Sequence, residues 1–162
     1  MSKPVVEQNA GRVMRLSREL AAPRALVWQA LTDPAHVGAW WGPDGFTTTT
    51  KSIEVRPGGA WVYTMHGPDG RDYPNVMTFR EVVPYERLAY RHGASESEDP
   101  AADFDTVVTL EELGEGRTRL TLTSVFASDE ARARVVREFG ALEGGLQHLE
   151  KLGAYLDQLG RA

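Results

Sequence analysis

Near its C-terminus the chain repeats apolar side chains in steps of three and four: Val135, Phe139, Leu142, Leu146, Leu149, Leu152, Leu156 and Leu159. That spacing draws one stripe down a single long helix. Ser128 suits the N-cap, and Asp129 and Glu130 place negative charge in the first turn, where the helix dipole favours it. Gly140, Gly144 and Gly145 interrupt the stripe, each weakening a helix by about 1 kcal/mol against alanine. They mark either a kink or a place where the helix backbone comes close to a neighbour.

Upstream the period is two. Residues 12–20 alternate, with Met14, Leu16, Arg18 and Leu20 on one face. After two short helical stretches, near residues 23–31 and 34–41, come "FTTTTKSIEV", "AWVYTMH", "NVMTFREVV", "RLAYRHG", "FDTVVTLEEL" and "RTRLTLTSVF", separated by turn signals such as Pro57-Gly58-Gly59 and Gly114-Glu115-Gly116. The polar stretch "ASESEDPAAD" reads as a mobile loop. Seven strands joined by short turns make an antiparallel meander with one apolar face. Only the long helix is large enough to cover that face, so the fold class is α+β, a curved sheet wrapped round a C-terminal helix. A cavity is expected where helix and sheet do not meet fully.

A chain of 162 residues suits one domain, spanning residues 12–162. The first eleven residues lack the apolar run of a signal peptide and read as a flexible arm. No apolar run approaches the ~20 residues of a membrane span. The net charge is −5 and no Lys/Arg block occurs, which argues against nucleic acid as partner. Cysteine is absent, so disulfides and thiolate metal sites are excluded. His66, His92 and His148 stand apart without metal-ligand spacing, and the glycine-rich turns lie between strands, where they do not cradle phosphate. A cytoplasmic protein without metal or cofactor is expected.

The segments "APRALVWQALTDP", "WWGPDGF", "IEVRPGGAW", "REVVPYERLAY", "TRLTLTSVFAS" and "HLEKLGAYL" closely resemble, in order and over residues 12–159, one family. It is the branch of the SRPBCC (START and Bet v 1-like) superfamily related to the C-terminal domain of the activator of heat-shock protein 90 ATPase. The resemblance implies a helix-grip fold with an internal hydrophobic cavity. The sequence departs from the family pattern at Met77, where a small residue is common and the bulkier side chain would narrow the cavity, and at Tyr85, where a second proline is common.

Candidate site residues follow from the alternation. Trp40 and Trp41 are adjacent on a short helix, so one is expected under the sheet edge and the other partly exposed, either plugging the cavity mouth or, for Trp41, lining the pocket. Trp61, Tyr63, Met65, Phe79, Glu81, Tyr90 and His92 fall on the face expected to look inward. They form either plain core or a ligand pocket of apolar walls with a few polar tips. An inward Glu81 needs a partner, and Arg18 is the residue expected to supply it, as a structural pair or for proton transfer; the alternative is that both charges face outward. Three functions fit. The first is binding of a small hydrophobic or aromatic molecule. The second is a cyclase- or hydrolase-like enzyme using a cavity carboxylate or His92 as acid–base group. The third, implied by the resemblance, is interaction with a chaperone as an ATPase-activator-like module, here without the additional N-terminal domain of the eukaryotic co-chaperones.

Overall fold

The computed structural model describes residues 3–93 and 104–161, with Gly93, Phe139 and Arg161 described by their backbone alone. The loop expected at residues 94–103 and the Phe139 position in the helical stripe therefore lie outside the described side chains.

The elements run β1 (Val5–Ala10), β2 (Val13–Leu20), α1 (Arg24–Thr32), α2 (Val37–Trp40), β3 (Thr47–Ile53), β4 (Ala60–His66), β5 (Asp72–Val83), β6 (Arg87–Gly93), β7 (Phe104–Gly114), β8 (Arg117–Val125), α3 (Asp129–Phe139) and α4 (Ala141–Arg161). Among the described residues there is one sheet of eight strands, ordered β1-β2-β8-β7-β6-β5-β4-β3, and every neighbouring pair is antiparallel. The eighth strand is β1. Residues expected as a loose arm pair with β2, from Val5 opposite Ser17 to Ala10 opposite Val13. Val5 and Val6 stay exposed there, so no alternation of buried and exposed positions announces the strand.

The stripe on α4 does what its spacing requires. Leu149, Leu152 and Leu156 are buried in one core cluster with Leu16, Leu20, Val108 and Leu120 of the sheet. The expected single long helix is two. Gly140 adopts the left-handed φ of 61° and returns its N–H to Val135 O, a conformation glycine reaches without the cost a Cβ adds. The chain then restarts as α4, with Gly144 N donating to Gly140 O at 2.8 Å. Ser128 caps α3 by accepting from Ala131 N at 3.0 Å. The short helices begin later than the prolines suggest. Pro23 is the N-cap of α1, and Asp33 holds a turn, accepting from Ala35 N at 2.8 Å, before α2 starts.

Three expectations about side-chain direction are corrected. Glu81 faces solvent and accepts from Arg87 Nε at 3.0 Å. The pairing of β5 with β6 shifts between Phe79 and Glu81. The bulge turns Arg80 and Glu81 both outward and gives the core side to Val82. Arg18 does not pair with Glu81. Its Nη1 donates to Leu149 O at 2.6 Å, in space that Gly153 leaves open, since a Cβ there would lie 2.0 Å from Nη1. Finally, Trp40 and Trp41 are both buried, at 2% and 7% exposure. Trp40 drops between the helices and donates from Nε1 to Ala30 O at 2.8 Å, while Trp41 reaches the sheet.

Candidate functional site: a cavity between helix and sheet

Where α3 gives way to α4 the helix carries Gly140, Ala141, Gly144 and Gly145, and little side-chain bulk fills the space below. Gly145 sits hard on the sheet, where a Cβ would meet Leu16 Cδ1 at 2.6 Å. At Gly144 a Cβ would meet only Pro43, at 3.8 Å, and at Gly140 nothing within 4 Å. The unfilled space is a cavity of about 420 Å³, walled by these glycines, His148 of α4, Met14 of β2, residues 41–43, Tyr63 and Met65 of β4, Asn75 of β5, Tyr90 and His92 of β6, Phe104 and Thr106 of β7, Leu122 and Ser124 of β8, and Val135 of α3. Its size falls in the usual range for small-molecule pockets, and its wall is mainly apolar with a few polar groups.

Rings define one side. Trp41 meets Trp61 edge-on at 4.7 Å between centroids, Trp61 stacks on Tyr63 at 3.8 Å, and His148 lies 4.4 Å from Trp41 and 4.6 Å from Trp40. Opposite them, Tyr90 touches His92, and His92 stacks on Phe104 at 4.5 Å.

Burial keeps the polar tips uncharged. His148 is lowered to about 3 by burial, reinforced by the nearness of His92 and Lys151. His92 is lowered to about 4 by burial. Burial raises the Tyr63 and Tyr90 hydroxyls well above their ordinary range, so both remain protonated. Thr106 and Ser124 satisfy each other across β7 and β8 at 3.1 Å. Among the described residues no group of three or more His, Cys, Asp or Glu is placed to hold a metal ion, and no described helix is long and apolar enough to cross a membrane.

The same face of α4 latches the loop that carries Trp41, Gly42 and Pro43 into the cavity wall. Gly42 N donates to His148 Nδ1 at 3.2 Å, Asp44 N to Gln147 Oε1 at 3.1 Å, and Lys151 Nζ to the carbonyls of Pro43 and Phe46 at 3.3 Å each. Burial lowers the Lys151 pKa, opposed by Asp44.

Of the residues singled out from sequence, Trp41, Tyr63, Met65, Tyr90 and His92 come together on the cavity wall. Trp61 and Phe79 are core outside its lining, Met77 is core as well and is not part of that lining, and Glu81 faces solvent. Sequence reading missed His148, which seemed isolated among leucines. The signal was there in spacing: Gly140, Gly144 and His148 are four apart, a helix face lacking bulk and ending in a polar ring.

Residues 21–157 match the family described as Activator of Hsp90 ATPase homolog 1-like protein. No curated protein matches the chain. Among solved structures, a protein from Arthrobacter aurescens is 29% identical with a TM-score of 0.86, over 95% of this chain and 91% of that one. A protein from Mycobacterium smegmatis is 26% identical with a TM-score of 0.79, over 98% of each chain. A protein from Silicibacter pomeroyi, titled with the same family, is 25% identical with a TM-score of 0.72, over 90% of this chain and 98% of that one.

Proposed function

The chain belongs to the Activator of Hsp90 ATPase homolog 1-like family, and on that premise we propose that it binds a small hydrophobic or aromatic molecule in the cavity between α4 and the sheet. The observation that carries this reading is the cavity itself: about 420 Å³ left open by a helix whose glycines decline to fill it. A chain under selection for stability alone would place a larger side chain at Gly144, because filled cores are more stable than hollow ones. The family description names stimulation of an ATPase, a task for a docking face. The feature that stands out in this chain is internal.

The enzyme reading loses its carboxylate, since Glu81 points to solvent and the described wall holds no Asp or Glu. His92 and His148 remain as titratable groups, but both are weak bases held neutral.

Gly144→Leu tests the proposal. The substitution favours the helix and projects a butyl group into the void. Titration with the uncharged fluorophore N-phenyl-1-naphthylamine should show saturable binding to the wild-type protein and a loss of about tenfold or more in the variant, which should melt no earlier. Equal binding by both proteins would place the fluorophore elsewhere and overturn the reading.

A further inference from the structure

We infer that the cavity selects uncharged aromatic ligands bearing an oxygen acceptor, such as a ketone, ester or amide, which His148 Nε2–H holds, and that it rejects the matching carboxylates. This rests on the binding reading above and names the class of molecule bound.

The backbone fixes the donor. A peptide N–H can only donate, so the contact from Gly42 N makes His148 Nδ1 an acceptor. A neutral imidazole then carries its proton on Nε2. The ring forms part of the cavity wall, and among the described residues no side chain or carbonyl bonds Nε2. A polar N–H in an apolar wall gains a partner when a ligand oxygen arrives, and a pure hydrocarbon would leave it unmet.

The rejection of anions follows from the wall's charge. Among the described lining residues none is Lys or Arg. Lys151, close enough to act on His148, is spent on the Pro43 and Phe46 carbonyls. A carboxylate ligand would shed its hydration without meeting a fixed positive charge, a cost that hydrogen bonds from neutral donors do not offset. It could recruit a cation only by protonating His148 or His92, and burial opposes both.

Three probes sharing one ring system test this: naphthalene, 2-acetylnaphthalene and 2-naphthoate, each competed against N-phenyl-1-naphthylamine at pH 7.5. The expected order places the ketone about fivefold tighter than the hydrocarbon and the carboxylate about tenfold or more weaker than the ketone. In His148→Leu the ketone's advantage over naphthalene should vanish while naphthalene still binds, which also shows that the variant's cavity is intact. A carboxylate that binds as tightly as the ketone, a ketone advantage that survives in His148→Leu, or a ketone that binds no tighter than naphthalene in the wild type overturns the inference and leaves the binding reading standing. Failure of all three probes to displace the fluorophore overturns the inference, and absence of saturable fluorophore binding to the wild-type protein overturns the binding reading as well.

Discussion

Two neutral imidazoles inside one wall should make the fold sensitive to mild acid. In the unfolded chain each histidine titrates near 6.5, whereas in the fold His92 is lowered to about 4 and His148 to about 3. Both folded values lie below the unfolded one, so below pH 6.5 the unfolded state binds more protons and acid favours unfolding. The stability is complete above roughly pH 7.5 and falls away as the pH drops through 6.5 toward the folded values. At pH 5 an unfolded imidazole has gained about 1.5 units of proton-binding free energy, or about 2 kcal/mol, and the folded rings have gained almost none. The pair thus accounts for about 4 kcal/mol between pH 8 and pH 5, an upper figure because water in the cavity screens part of it. At pH 5 both rings are still neutral, so their mutual repulsion does not enter. Urea unfolding followed by far-ultraviolet circular dichroism, at steps from pH 8 to pH 5, measures the loss. The double variant His92→Phe with His148→Gln keeps an acceptor for Gly42 and should lose less stability over the same range by that amount. All other ionisable groups are common to both proteins, so their contributions cancel in the comparison. Parallel pH curves for the two proteins would refute the claim that these rings are held neutral by the fold.

Further expectations concern packing and the bulge. Leu149→Ala or Leu156→Ala should cost about 2–5 kcal/mol in urea unfolding, from lost burial and a residual void. Gly145→Ala and Gly160→Ala, in the same helix, should have opposite signs: the first drives a methyl into Leu16 and should lower stability by about 1 kcal/mol net of helix propensity, while the second meets nothing within 4 Å and should raise it by about 0.5 kcal/mol. Glu81→Gln should change stability by less than about 0.5 kcal/mol, because it breaks only an exposed pair with Arg87, and it should leave fluorophore binding as it was.

Much of the architecture was legible because period two and period 3.6 are set by the same burial that builds the core. The helical stripe led directly to Leu149, Leu152 and Leu156, and the alternation on β4 led to Tyr63 and Met65. What failed did so for local reasons. A β-bulge moves one residue out of register without any signature in the side chains, so counting by twos beyond Phe79 put Glu81 on the wrong face. Strand β1 lies at the sheet edge with both sides largely wet, so selection for burial left no pattern in it. Adjacent helical positions normally diverge by about 100°, which made two buried tryptophans improbable. The chain resolves this by ending α2 at Trp40 and leaving Trp41 in an extended conformation. His148 escaped because its role depends also on a loop a hundred residues earlier, a relation that only the fold creates.

The packing of His148 against Trp40 and Trp41 gives the molecule an optical channel to its own interior. A neutral imidazole is a poor acceptor for the electron of an excited indole, whereas an imidazolium is an efficient one. Trp41 and Trp61, crossed at 86° and 4.7 Å apart, are close enough for their transition dipoles to couple and to imprint the chirality of the site on the near-ultraviolet spectrum. A guest entering beside them would disturb both signals without any label, so the emission yield and exciton band of the unmodified protein report whether the chamber is empty, filled or flooded with acid.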